Sequence, residues 1–347
     1  MTILQARAEA QRIAFGPLVF QAIHLLWKSG LLERIEQAGV KGVSAAQLAR
    51  ETDISSYGVD VLCEVAGSAG VIIEEAGRLT ITKLGSVILH DRLTQVNVNF
   101  VQDVCYEGAF HLEESIRESR PAGLKVFSDA STIYECVTEL PDAAQQSWYE
   151  FDHYYSDRAF REAAAIVFSR SVSRLLDIGG NTGRWALRAL ESDDQVRITI
   201  ADLPGQLERA RQILNASAHA ERMSYLETNL LDEHTQLPGQ FDAIWMSQFL
   251  DCFSEPQIGQ ILRLIRPALA ENGRVFIMET FVDRQKYEAA AYSLNAISLY
   301  FTTMANGNSR MYRGTTLERI LNEEGYKLTE IHDDLGVGHT LLECTIA

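Results

Sequence analysis

The apolar residues change their spacing along the chain, and the changes mark its elements. Between Pro17 and Leu89 they recur mainly at helical spacing. FQAIHLLWKSGLLERIE carries one such stripe, interrupted at Gly30. VSAAQLARETDIS predicts a second helix, with Ser44 as its N-cap and an end near Thr52. SSYGVDVLCEVAGSAGVI gives a third, and IIEEAGRLTITKLG reads as a β-hairpin turning at Ala76-Gly77. Three helices and a hairpin form a winged-helix arrangement. From about Asn97 to Val167 the pattern is helical, rich in aromatic and polar side chains, with breaks at Pro121 and Pro141. From Val172 onward apolar strands alternate with helices: RLLDIG, VRITIAD, MSYLETNLL, FDAIWMS, RVFIMET and a late LLECTIA. That alternation predicts an α/β fold, a Rossmann-like doubly wound sheet, behind an N-terminal, mainly helical winged-helix domain. The expected divisions are 1–95, 96–165 and 166–347.

LLDIGGNTGRW is the most specific stretch. An apolar strand ends in Asp177, and a turn with Gly179, Gly180 and Gly183 leads into a helix. Such glycines let the backbone approach a ligand, and the helix start adds free N–H donors. A second strand ends in Asp202, 23 residues after Gly179. An acid at about 20 residues is placed to hold a ribose hydroxyl pair. The run is not G-x-G-x-x-G, and no Lys follows it, so neither a dinucleotide loop nor a P-loop fits. Asp177 would repel a diphosphate but suits an ammonium. S-adenosyl-L-methionine, with an amino-acid ammonium, a ribose and no phosphate, matches these demands. The bland alternative is a strand–turn–helix with no ligand.

Composition narrows the partners. The chain has 347 residues, 46% apolar, and a formal net charge of −16. A surface this acidic argues against nucleic acid and against an anionic membrane. The winged-helix module as a whole shows no basic face. Its third helix, in the recognition position, carries no Lys or Arg, so a buried dimerisation surface is the better reading. Five scattered cysteines without a C-x-x-C read as reduced thiols of a cytoplasmic protein, not as a zinc site or disulfide frame. The N-terminus lacks the apolar core of a signal peptide, and no segment is apolar enough to span a membrane.

Taken together, these motifs resemble the S-adenosylmethionine-dependent methyltransferases of the plant and bacterial small-molecule O-methyltransferase type, over nearly the whole chain. LLDIGGNTG looks like that family's glycine motif and IADLP like its ribose-binding acid motif. VFIMETFV looks like the strand supplying an acceptor-side glutamate, here Glu279. FDAIWMSQFLDCFSE aligns without a gap on D-x-x-x-x-K-x-x-L/C-H-D-W-S-D. The resemblance implies a homodimer through the winged helix, a helical acceptor-binding region at 96–165, and a class I catalytic domain at 166–347. It implies a cofactor set of Asp177, Gly179, Gly180, Gly183, Asp202, Leu203, Asn229, Leu230, Ser247 and Gln248. One departure stands out: the family's general-base His is Asp251 here, followed by Cys252 and Phe253, with Ser247 in place of Lys.

Methyl transfer from a sulfonium is an in-line displacement, with the nucleophile about 3 Å from the methyl carbon. The leaving group is neutral, so the protein must position the acceptor and, for a phenol, remove one proton. A phenolate attacks through oxygen or through the neighbouring ring carbon. Asp in place of His weakens attack through oxygen and points to ring C-methylation, with O-methylation as the alternative. Expected catalytic residues are Asp251, His153 and Glu279. The expected acceptor pocket is His111, Phe151, Tyr154, Tyr155, Phe249 and Cys252, suited to a small aromatic acceptor. Each has a plainer reading: surface acids for Asp251 and Glu279, structural histidines for His111 and His153, helix-face core for the aromatic cluster. Two readings from other classes also stand: a non-methylating enzyme that binds the same cofactor, and a winged-helix regulator that senses it.

Overall fold

The computed structural model describes residues 1–347, which divide into two compact units, Met1–Asn99 and Phe100–Ala347. The first holds α1 (Ile3–Lys28), α2 (Leu31–Gln37), α3 (Ala45–Arg50), α4 (Ser56–Ser68), β1 (Ile72–Glu75), β2 (Arg78–Ile81) and α5 (Lys83–His90). α6 (Arg92–Phe100) ends at the boundary. Gly30, at φ +75°, breaks the chain between α1 and α2 where the sequence predicts. Ser44 caps α3 by accepting the Gln47 N–H at 3.2 Å. The hairpin turns at Ala76 (φ +49°) and Gly77 (φ +75°), and two successive positive φ angles match the twist of a two-residue hairpin. Leu32, Ile35, Leu48, Val59, Ile72 and Leu79 form the core.

One expectation is corrected here. The helical spacing read from Pro17 onward begins earlier in the structure. α1 instead begins at Ile3 under a Thr2 capping box and runs through Pro17.

The second unit opens with α7 (Leu112–Glu118), α8 (Ile133–Cys136) and the 26-residue α9 (Asp142–Val167), which starts directly after Pro141. Then come β3 (Arg174–Ile178), α10 (Arg184–Ser192), β4 (Arg197–Asp202), α11 (Pro204–Leu214), β5 (Met223–Glu227) and β6 (Phe241–Ser247). α12 (Glu255–Ile265), β7 (Leu269–Glu279), α13 (Glu288–Tyr300), α14 (Gly314–Glu323), β8 (Tyr326–Leu335) and β9 (His339–Ile346) complete it. The seven strands lie in the order β5-β4-β3-β6-β7-β9-β8. Five are parallel, and β9 runs antiparallel between β7 and β8. Alternating side chains feed two cores. Leu176 and Ile178 pack with Ile261 of α12 and Leu317 of α14, while Leu175 and Trp245 pack with Ala163 of α9 and Trp185 of α10. This is the doubly wound sheet expected from the alternation of strands and helices. β8 escaped that pattern because it is an edge strand, buried only at Tyr326 and Leu335 and otherwise largely polar.

From β3 the chain crosses to β4 on one side, and its other neighbour is β6. Such a switch point leaves a crevice at the carboxyl ends of the strands. Gly183, at φ +79°, caps α10 beside it, and a Cβ there would lie 2.2 Å from Leu214 Cδ1. Leu214 is buried at 1% exposure and has little room to yield. Gly183→Ala is therefore expected to destabilise the protein by about 1–3 kcal/mol. Thermal unfolding should show a fall of about 2–4 °C per kcal/mol; an unchanged Tm would refute the packing argument.

Candidate active site

A cavity of about 340 Å³ opens at the ends of β3, β4, β5 and β6. Its floor is the glycine turn. Gly179 (φ +68°) leaves the space that the Phe249 ring fills, 2.2 Å from a notional Cβ. At Gly180 a Cβ would meet Asp177 Oδ2 at 2.8 Å. Asp177 is 1% exposed, its Oδ2 has no partner, and burial with Asp202 nearby pushes its carboxyl well up. Asp202 accepts the Asn181 N–H at 2.8 Å and the Leu203 N–H at 2.7 Å. Burial raises it to about 6, against the pull of those two donors. Leu203, Thr228, Asn229 and Leu230 continue this side of the wall.

The segment after β6 forms the next side. Gln248 takes φ +46°, and its N–H bonds Met278 O at 2.9 Å. The N–H groups of Phe249 and Leu250 converge on Glu279 Oε1 at 3.0 and 2.9 Å. Asp251 lines the cavity at 6% exposure and accepts the Cys252 S–H at 3.4 Å. Burial lifts it to about 6.

The remaining wall is aromatic. α9 sends Trp148, Phe151, Asp152, Ser156 and Phe160 inward at helical spacing. Phe151 stacks on Phe100 at 4.0 Å, and Tyr300 meets Phe100 edge-on at 5.0 Å. Trp148 Nε1 donates to the Tyr300 hydroxyl at 2.7 Å. Asp152 accepts from Asn181 Nδ2 at 3.0 Å and Gln248 Nε2 at 3.4 Å. Burial, then Asp157 and Asp251, raise it to about 7. His153 Nε2 lies 3.1 Å from Thr182 Oγ1. Burial and the cations Arg184 and Arg209 drop it to about 4, so its ring is neutral.

Residues 111–327, more than half the chain, match the O-methyltransferase domain. The chain belongs to the O-methyltransferase family. Residues 7–79 match a Dimerisation2-like domain. The chain is 24% identical over 319 residues to the L-tyrosine C(3)-methyltransferase of Streptomyces lavendulae, covering 90% of this chain and 85% of that one. It is 25% identical over 307 residues to the O-demethylpuromycin-O-methyltransferase of Streptomyces alboniger, covering 86% and 79%. The S-adenosylmethionine-dependent methyltransferase SibL has the same fold, with TM-score 0.71, 23% identity, and coverage of 96% and 98%. The protein is an S-adenosylmethionine-dependent methyltransferase. Its residues fit that donor: Asp177 offers a buried, unpartnered oxygen to an ammonium, and Gly179 and Gly180 keep the turn open above it.

Most of the residues anticipated for this methyltransferase's site meet in the one cavity: Asp177, Gly179, Gly180, Asp202, Leu203, Asn229, Leu230, Ser247, Gln248, Phe249, Asp251, Cys252, Phe151 and His153. Five do not line it. Gly183 shapes the turn from behind, against Leu214. Glu279 is 2% exposed and works under the wall, holding the N–H groups before Asp251. His111, in the turn before α7, sits 3.7 Å from Glu114. Tyr154 falls on the far side of α9 beneath the Arg158 guanidinium at 4.2 Å, and Tyr155 packs on Phe151 at 4.9 Å. Sequence reasoning missed Asp152, Asn181, Trp148 as a wall residue, Tyr300 and Met311. The i, i+4 step from Trp148 to Asp152 to Ser156 was the signal available for the first.

Asp202→Ala is expected to weaken S-adenosylhomocysteine binding about ten- to a hundredfold, for a charge-assisted contact of about 1.5–3 kcal/mol. Calorimetry showing wild-type affinity in a variant of normal Tm would remove Asp202 from the cofactor site.

Proposed function

We propose that this methyltransferase modifies a small phenolic acceptor, that the acceptor lies in the aromatic slot bordered by Phe100, Trp148, Phe151 and Tyr300, and that the methyl group goes to a ring carbon. The carrying observation is that aromatic wall, which lines the same cavity as the glycine turn and as the carboxyl groups of Asp152 and Asp251. When bound, the donor supplies a methyl group on a positively charged sulfur, and the leaving group is neutral. The aromatic faces hold the ring, and a wall carboxylate removes the hydroxyl proton. His153 is a poor candidate for that task. A base near 4 gives little driving force for taking a phenolic proton, and Thr182 already engages it. Asp251 in the family's His position, and a relative named for methylating a tyrosine ring carbon, support attack through carbon. Glu279 serves as a positioning residue for Asp251.

The winged-helix unit is proposed to pair with a second copy. α1 runs for 26 residues with only Leu26 buried. Ile3, Leu4, Ile13, Phe15 and Leu18 are each at least half exposed. A solvated helix with apolar residues all round it and an internal proline has little to hold it, so a partner surface must cover it. The match to a dimerisation domain supports the same reading.

Three outcomes follow. NMR and mass spectrometry of the product should show a new ring methyl with the hydroxyl intact, whereas a methyl ether would overturn the carbon-attack reading. His153→Gln should lower turnover by less than about tenfold, below the 10²–10⁴ of a general base; a larger loss with unchanged cofactor affinity would restore His153. Light scattering should find a dimer at micromolar concentration, burying more than about 2,000 Å² if obligate; a monomer there would refute the pairing.

A further inference from the structure

We propose that Asp152 is the general base of this enzyme, doing the work of the His that the family pattern has at position 251, and that Gln248, oriented by the buried His339, holds it in place. The inference rests on the phenolic-acceptor reading above.

Asp152 occupies the seam of the cavity. Its Oδ2 accepts from Asn181 Nδ2 at 3.0 Å, and Asn181 belongs to the glycine turn, where its own backbone N–H binds Asp202. Its Oδ1 accepts from Gln248 Nε2 at 3.4 Å, from the segment after β6. The carboxylate therefore stands where the cofactor side meets the aromatic slot. Both donors are neutral amides. They fix the carboxylate without holding it permanently ionised, as a guanidinium would. Arg184, the nearby cation, is ion-paired with Asp157 instead.

The second donor is itself positioned. His339 is fully buried, and its Nε2 lies 2.8 Å from Gln248 Oε1. An amide oxygen only accepts, so Nε2 carries the hydrogen, and His339 is neutral in keeping with its burial. This orients the Gln248 amide so that its NH2 faces Asp152. The reverse orientation would set the amide oxygen against the carboxylate and leave an Nδ1–H buried without a partner, because Nδ1 has none. The relay His339–Gln248–Asp152 thus links the inside of β9 to the cavity wall.

Asp152 suits the task better than Asp251. Its side chain keeps 25% of its surface exposed, whereas Asp251 is 6% exposed and takes the Cys252 S–H. The groups facing Asp152 are Asp157 on its own helix, Asp251 after β6, Arg184 on α10 and the neutral His153 at 4.0 Å. Burial and the two acids outweigh Arg184 and the Asn181 amide, placing it at about 7, close to the operating pH of an efficient base. In the step, the hydroxyl proton passes from the phenol oxygen to Asp152. The ring carbon's electron pair forms the new C–C bond as the methyl–sulfur pair returns to sulfur. The ring C–H proton then leaves to water while Asp152 returns its proton to the oxygen, so one proton is released per turnover.

The test uses the full-length enzyme with L-tyrosine and catechol as probe acceptors. Asp152→Asn should lower kcat about 10²- to 10⁴-fold, with S-adenosylhomocysteine affinity unchanged by calorimetry. Because the base must be ionised, wild-type kcat/KM should rise with pH up to about 7 and level off above, and the Asn variant should lose that limb. His339→Gln should displace the limb while keeping cofactor affinity, which a merely structural role would not do. Wild-type turnover in Asp152→Asn, a parallel loss of cofactor affinity, or Asp251→Asn alone abolishing the limb would each overturn the assignment. A reading that needs no turnover is carbon-13 NMR of the ligand-free protein with labelled aspartate. Of the carboxyls titrating between about 6 and 7, one should vanish in Asp152→Asn while those of Asp202 and Asp251 remain, and an unchanged set would overturn the proposal. A methyl-ether product with the same Asp152→Asn loss overturns ring-carbon attack and supports Asp152, so the two failures are distinguishable.

Discussion

Four aspartates, 152, 177, 202 and 251, line one cavity, and none is ion-paired with Lys or Arg. This is the constraint on which the site depends. A buried carboxylate without a counter-ion is costly, and it either takes a proton or finds donors. Asp202 finds two backbone N–H groups, Asp152 two side-chain amides, Asp251 a thiol and backbone donors. Asp177 keeps an oxygen with no partner at all. Each carboxyl rises above its ordinary value for the same first reason, loss of water. A cationic ligand relieves that cost. The wall is therefore electrostatically incomplete by itself, and the sulfonium and ammonium of the methyl donor are proposed to complete it.

The glycines follow from the same constraint. A turn that must expose N–H donors to Asp202 and pass over Asp177 has no room for side chains at 179 and 180. Gly179 also admits the Phe249 ring, so the turn after β3 and the segment after β6 lock onto each other. Glu279 secures the second of these from below by holding two successive N–H groups. The cavity is thus set by contacts between loops at the switch point, and the twisted sheet supplies the rigid base for them.

What the sequence made legible was the local part. Asp177, the glycines and Asp202 lie on consecutive strand ends, so their spacing in the chain is their spacing in the site. Ser44 and Ala76-Gly77 were readable for the same reason, since caps and turns act over three or four residues. The acceptor slot was not. Phe100, Trp148 and Tyr300 meet across more than 150 residues of chain, and only packing brings them together. Tyr154 and Tyr155 were included because aromatic density was read without the helix face, and α9 turns Tyr154 outward. Glu279 was placed by a strand end that faces the underside of the wall. β8 was lost because an edge strand solvated along most of its length shows no apolar alternation.

The exchange of His for Asp at position 251 reaches further than the loss of one base. A histidine there would be neutral or cationic. Aspartate adds a negative charge next to Asp152, and Asp251 is one of the groups raising the Asp152 carboxyl. The position that no longer carries the base in the family's manner thereby tunes a neighbouring carboxyl toward neutrality, where a base is most effective. The same added charge makes the slot unfavourable for a carboxylate pressed against it, since like charges in a dehydrated wall repel strongly. On the reading proposed above, a phenol enters such a slot in its neutral form, because the same wall disfavours a phenolate until its ring is held. That order keeps charge off the acceptor until the methyl group is in line.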